Sequence, residues 1–164
     1  MIVGLTSGTW DLFHHSHLLY LERCKSQCDK LIVGVDGDDL VRRTKGEFRP
    51  IHGERHRLSL INRLTVVDSA FILRDLKDLT LIALQFYVDK VFKCEKFAVP
   101  HLKAALREPY TLESVPAKRV YGTERAELVI IPDIPGMIST TKIVEMIKAG
   151  NTRSGPIPIT ENEI

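Results

Sequence analysis

Short apolar runs rich in β-branched residues recur along the chain at Ile2–Leu5, Leu31–Val35, Val66–Leu73, Val88–Phe92 and Glu127–Ile131. Each lies beside a segment whose apolar residues fall at helical spacing, so strands and helices are expected to alternate. Leu18, Leu21 and Cys28 share a face after Ser16, and Leu58, Ile61 and Leu64 share one after Glu54. A third helix is predicted over Leu79–Phe86. A fourth opens after Ser139 and carries Ile143, Met146 and Ile147 until Gly150 stops it. This rhythm predicts an α/β fold, a parallel sheet wrapped by helices.

Two stretches break the pattern. Residues 98–127 hold Pro100, Pro109 and Pro116 among mixed polarity, which reads as a helix around His101–Arg107 followed by loop. From Asn151 onward the chain is rich in Pro, Gly and polar residues with neither period, a mobile end or an arm onto a partner subunit. The expected organisation is one domain over residues 1–150 and a C-terminal tail over 151–164.

Composition narrows the function classes. Of 164 residues, 44% are apolar and 27% charged, ordinary globular usage with no bias toward disorder. The net charge of +2 leaves no general field to attract nucleic acid or an anionic membrane, so any anion site must be local. MIVGLTSGTWDL lacks the basic flank and long apolar run of a signal peptide, and no later stretch could span a bilayer. A cytoplasmic enzyme is the expectation. Cys24 and Cys28 are four apart on a predicted helix, but Cys94 is remote and no matching His or Cys pair follows. All three read as reduced core thiols rather than metal ligands.

In open parallel sheets, ligands bind beyond the carboxyl ends of the strands. After the first strand comes SGTWDLFHHSHLLYL, where Gly8 permits close backbone approach and three histidines crowd a helix start. Helix N–H groups and the dipole favour a phosphate there. Attack on the α-phosphorus of a triphosphate builds charge on nonbridging oxygens and on departing pyrophosphate, which placed imidazoles stabilise. His14 and His17, three apart, lie on one side of a helical turn and can reach the same phosphate. Such a cluster can equally cap the helix or pack. Ser139 and Thr140 open the last helix and read as an N-cap, a phosphate-binding helix start, or both.

The run Gly8-Thr9-Trp10-Asp11-Leu12-Phe13-His14-His15-Ser16-His17 resembles the G-x-F-D-x-x-H-x-G-H signature of the cytidylyltransferase-like nucleotidyltransferases. Val33–Ile51 is similar to the corresponding run of the bacterial heptose 1-phosphate adenylyltransferase domain, and Glu54–Leu73 resembles the helix and strand that follow. Ile138–Ile143 resembles the I-S-T-T-x-I motif of glycerol 3-phosphate cytidylyltransferases. The resemblance spans residues 2–97 and 128–147. It implies a Rossmann-like sheet, a magnesium-bound nucleoside triphosphate, direct displacement with no covalent enzyme intermediate, and a homodimer.

Carried over by motif position, the resemblance gives His14 and His17 the triphosphate and its transition state, with Thr9 offering further phosphate contacts. Lys45 becomes a mobile loop lysine neutralising donor or acceptor phosphate, and Lys93 a nucleotide contact. Asp11 would position the acceptor or hold its loop. Departures accompany it: Ser16 stands for a glycine where the base approaches the backbone, and Trp10 for a phenylalanine in the pocket floor. No arginine occurs in Pro132–Met137, leaving Lys142, Arg125 or Arg119 to substitute, while residues 98–127 could supply a lid or a dimer contact.

The expected activity is transfer of CMP or AMP from a nucleoside triphosphate to a phosphorylated polyol or sugar, with pyrophosphate released. The central run favours the adenylyl branch and Ile138–Ile143 the cytidylyl branch, with CTP slightly preferred. Adenylyl transfer to a coenzyme precursor and a non-catalytic nucleotide-binding protein are the alternatives.

Overall fold

The computed structural model describes residues 1–75, 77–95, 125–133 and 139–150. In chain order these form β1 (Val3–Gly8), α1 (His15–Lys25), β2 (Lys30–Asp36), α2 (Asp38–Lys45), α3 (Glu54–Ile61), β3 (Ser69–Leu73), α4 (Lys77–Gln85), β4 (Lys90–Cys94), β5 (Glu127–Ile131) and α5 (Thr140–Lys148). The strands make a five-stranded sheet in the order β3-β2-β1-β4-β5, every neighbouring pair parallel. Strand order therefore reverses at β1, whose two neighbours are β2 and β4. This is the Rossmann-like α/β fold.

Alternation within each strand builds a core on both faces. Leu31, Val33 and Val35 meet Leu21 and Cys24 of α1 and Ile61 of α3, whereas Val3, Leu5, Ile32 and Val91 meet Leu79 and Ala83 of α4. Strands buried on two sides read as continuous apolar runs rather than alternating ones, which is why they stand out in the sequence. At Gly4 a Cβ would come within 2.6 Å of Phe92 and 2.7 Å of the Cys28 sulfur, so that layer closes only over a glycine.

Several elements differ from expectation. β1 and β2 run on through Gly8 and Asp36 because ladder pairing continues to Gly8↔Val35 even where residues turn polar. α1 stops at Lys25, leaving Cys28 beyond it, half-buried. Leu64 lies past the end of α3 yet still packs on its cluster. Residues 66–68 turn ahead of β3, and α4 starts at Lys77. α2 was not foreseen. Its only apolar residues, Leu40 and Val41, are adjacent, so no helical period appears. Asp38 and Asp39 in its first turn and Arg42, Arg43 and Lys45 in its last suit the helix dipole. The helix read around His101–Arg107 and the tail fall outside the described residues. No helix among the described residues is long and apolar enough to cross a membrane.

The amino edge of the sheet is closed by acidic residues that accept strand N–H groups: Asp68 from Leu31 at 2.7 Å and Asp89 from Val3 at 2.9 Å. Asp89 also holds Arg125 at 2.7 Å. Arg125 thus belongs to the edge opposite the histidine motif and is no substitute for the arginine missing before Ser139. The carboxyl edge is left for chemistry.

Candidate active site

β1 delivers the chain to the carboxyl edge at Gly8, and Trp10 then turns back with φ of 55°. A Cβ at Gly8 would meet the Trp10 ring at 3.1 Å, so the glycine there accommodates the indole. Trp10 is only 5% exposed and donates from Nε1 to the Gly34 carbonyl at 2.9 Å. Its edge meets the His17 ring at a centroid distance of 5.6 Å. The indole supports His17 from beneath and presents no open face of its own.

His14 is the N-cap of α1, with extended backbone, and His17 sits one turn on. The two imidazoles stack at 4.0 Å and 23°, with Phe13 packed 5.4 Å from His17. His17 Nδ1 accepts the His14 backbone N–H at 3.4 Å, which leaves the ring proton on Nε2 as a donor. Both ring nitrogens of His14 are buried without a hydrogen-bond partner among the described residues. Buried polar atoms are nearly always satisfied, so these two nitrogens stand out as candidates for contact with a ligand. Burial, followed by the His14 and Lys45 charges, pushes the His17 pKa down to about 3, with Asp11 opposing; burial and then His15 lower that of His14.

Both rings are therefore neutral donors at physiological pH. Linkage sets the consequence for stability. The unfolded chain protonates His17 near its ordinary value of about 6.5 while the folded chain does not, so stability falls as pH drops from there toward about 3. The loss is expected to reach a few kcal/mol. Urea unfolding at pH 7, 5 and 4 should show the slope and His17→Gln should flatten it, and the His17 ring protons should titrate near 3; a midpoint near 6 would contradict the burial.

Asp11, 1% exposed, is consumed by the loop that follows α2. It accepts the N–H groups of Ile51 and His52 at 2.9 Å each and pairs with Arg49 at 2.7 Å. These bonds hold its carboxyl below the usual range against burial, the largest opposing influence. Of the two roles expected of Asp11, the geometry shows the loop-holding one. Arg57, 2% exposed, ties the same region together: it donates to the Thr9 and His52 carbonyls and pairs with Asp38 at 2.7 Å.

Lys45 is the last residue of α2, bordering the loop that begins at Gly46, and Arg42, Arg43 and Lys45 together favour that C-terminal turn. Desolvation lowers its pKa, Arg49 and Arg57 add to that, and Asp36 and Asp11 oppose it. Lys93 lies within β4 and donates from Nζ to Ser7 Oγ at 2.9 Å; burial lowers its pKa and Asp36 raises it. The Thr9 hydroxyl donates to Asp36 Oδ2 at 3.1 Å, so that hydroxyl is already engaged. Ser139 caps α5, accepting the Lys142 N–H at 3.3 Å, and Thr140 Oγ1 donates to the Asp11 carbonyl at 2.8 Å. That bond brings the N-terminus of α5 to the histidine loop. Two helix starts, two imidazoles and two lysines thus converge on the point where strand order reverses, an arrangement suited to a polyphosphate.

The family model described as Cytidylyltransferase-like matches residues 5–146. The chain belongs to the cytidylyltransferase-like family. Among curated relatives, the bifunctional protein HldE of Rhodopseudomonas palustris (strain BisB5) is 34% identical over 150 residues, covering 92% of this chain and 28% of the relative. HldE of Hyphomonas neptunium (strain ATCC 15444) is 30% identical over 148 residues, 90% of this chain and 27% of the relative. The chain thus spans little more than a quarter of the length of these relatives. Among solved structures, a lipopolysaccharide core biosynthesis protein from Thermoplasma volcanium GSS1 superposes with a TM-score of 0.63 at 25% identity, covering 82% of this chain and 98% of that one. Pantothenate synthetase from Thermus thermophilus shares the fold alone, with a TM-score of 0.54 at 13% identity over 92% of this chain and 71% of its own.

In this cytidylyltransferase-like chain, three residues of the site escaped the sequence reading. Asp36 could have been noticed as an acid ending an apolar strand, where parallel-sheet ligands bind. Arg49 and Arg57 carried no such signal, since they stand in a strongly basic run and a polar helix whose burial only the fold reveals.

Proposed function

We propose that the chain transfers AMP from ATP to a small phosphorylated sugar, releasing pyrophosphate. One observation carries the reading: a stacked, neutral His14–His17 pair at a helix start, both His14 ring nitrogens without a hydrogen-bond partner among the described residues, flanked by Lys45 and Lys93 at the carboxyl edge of the sheet. An acceptor phosphate oxygen attacks the α-phosphorus, and the bond from that phosphorus to the bridging oxygen of the β-phosphate breaks, with the electron pair leaving on pyrophosphate. No side chain need give or take a proton in this step. His17 Nε2–H and the His14 ring donate to oxygens on which charge develops, Lys45 and Lys93 neutralise the phosphates, and the α1 and α5 starts offer N–H groups. The described residues contain no group of three or more metal-ligating side chains, so magnesium fits as an ion carried in on the phosphate oxygens, where it would neutralise their charge.

Adenylyl transfer is favoured because the HldE relatives match over nine tenths of the chain and the Val33–Ile51 run is similar to the heptose 1-phosphate adenylyltransferase domain. The serine-threonine start of α5 supports CTP as the second reading, so both donors enter the test. Pyrophosphate release would be measured with ATP and CTP against sugar 1-phosphates, glycerol 3-phosphate and ribitol 5-phosphate, with product mass determined. Turnover with ATP and a sugar phosphate is expected. Adenylylated coenzyme precursors as sole products would redirect the reading, and tight nucleotide binding without pyrophosphate from any acceptor would leave a non-catalytic nucleotide-binding protein.

A further inference from the structure

Across three neighbouring strands, one face of the sheet changes from apolar to polar at its carboxyl edge. Leu5, Ile32 and Val91 fill the core on that face. Further along the same parity come Ser7 on β1, Asp36 on β2 and Lys93 on β4. Lys93 Nζ donates to Ser7, and Asp36 accepts Thr9 through Oδ2. A half-buried carboxylate, whose pKa burial raises while the Thr9 hydrogen bond and the cations Lys93, Lys45 and Arg57 oppose that rise, is therefore planted in a site otherwise suited to phosphate. Its charge opposes binding of an anion, a cost that a ligand bearing only phosphate would have no means to offset.

We infer that Asp36 is a substrate-binding residue that accepts hydrogen bonds from acceptor hydroxyl groups close to the acceptor phosphate, selecting sugar and polyol phosphates over acceptors without hydroxyls. The inference rests on the reading of the site as one for nucleotidyl transfer to a phosphorylated acceptor, and names the chemistry of that acceptor. The placement on β2 suits it. In-line displacement puts attacking and departing oxygens on opposite sides of the α-phosphorus. The α1 and α5 starts and the histidines serve the triphosphate. The β2 flank, with Asp36, Lys45 and Arg49, then remains for the acceptor, whose phosphate meets a lysine while its hydroxyls meet the carboxylate. Hydrogen bonds to a charged acceptor are stronger than neutral ones, and leaving that carboxylate unmatched is costly, so discrimination of about ten-fold or more is expected.

The test is direct binding by calorimetry, which does not depend on turnover and so fails or succeeds separately from the pyrophosphate assay. The probes are mannose 1-phosphate and the hydroxyl-free propyl phosphate, titrated into the full chain, into Asp36→Ala, and into Asp36→Asn, which keeps an oxygen for Thr9 and guards against misfolding. The wild-type chain should bind mannose 1-phosphate about ten-fold more tightly. Asp36→Ala should bring that ratio near one without weakening propyl phosphate, and Asp36→Asn should give an intermediate ratio. Equal binding of both probes by the wild type, binding of neither, a ratio that survives both substitutions, or an equal loss for both probes would overturn the inference. The last pattern would mark Asp36 as a counter-ion for Lys93 and Lys45 alone.

Discussion

Replacing Arg57 by alanine is expected to lower folding stability by about 3–5 kcal/mol, among the largest losses a single substitution in this chain should cause. The guanidinium is almost fully buried and satisfies three separate segments at once: the Thr9 carbonyl of the motif loop, the His52 carbonyl after α2, and the Asp38 carboxylate at the start of α2. Removing it strands two backbone acceptors and leaves Asp38, 25% exposed, without its cation. A buried ion pair contributes little net stability when formed, but breaking one side leaves an uncompensated charge, and that asymmetry sets the magnitude. Urea unfolding should show a lower midpoint with an unchanged slope, and the melting temperature should fall by about 10 °C for a chain of this size. Arg57→Met fills the space without the charge. If it were as stable as the wild type, packing rather than the hydrogen-bond hub would hold the motif loop.

The same hub shows where sequence reading reached its limit. The strands were legible because parallel strands covered on both faces must be apolar throughout, and ELVII became β5 with the bounds its composition suggested. Ser139 was legible because a helix cap is a local matter of one side chain and the next turn's N–H. His14 and His17 were legible as a pair for the same reason, spacing along one turn. The contacts that hold them in place join residues far apart: Thr9 to Asp36 across 27 positions, Arg49 to Asp11 across 38, Arg57 to Thr9 across 48. Nothing in local spacing announces such pairings. α2 was missed because its helicity is set by end charges and two adjacent core residues, not by a repeating face. Trp10 resembled a change in a pocket floor, yet its indole reaches the Gly34 carbonyl and carries the edge of His17, a role visible only once β1 and β2 lie side by side.

Substitution of His17 by alanine is expected to reduce kcat about 10²–10³-fold while changing the KM for nucleotide little, the signature of a donor that matters most when charge develops. The argument turns on which nitrogen carries the proton. With Nδ1 accepting the His14 N–H, Nε2 is the donor, and deep burial keeps the ring neutral well below pH 7. A neutral donor does not titrate across the working range, so the rate should show no His17 limb between about pH 5 and 8. An imidazolium acting as an acid would lose activity as pH rises through 6 to 7. Glutamine places its amide nitrogen near the position of Nε2, asparagine near that of Nδ1. His17→Gln should therefore recover part of the activity that His17→Ala loses, and His17→Asn should not. Steady-state kinetics of the three variants from pH 5 to 9 separate the possibilities. Equal defects in all three, accompanied by lowered melting temperatures, would mean that the ring serves chiefly as packing against Trp10 and His14, and the donor role would pass to His14.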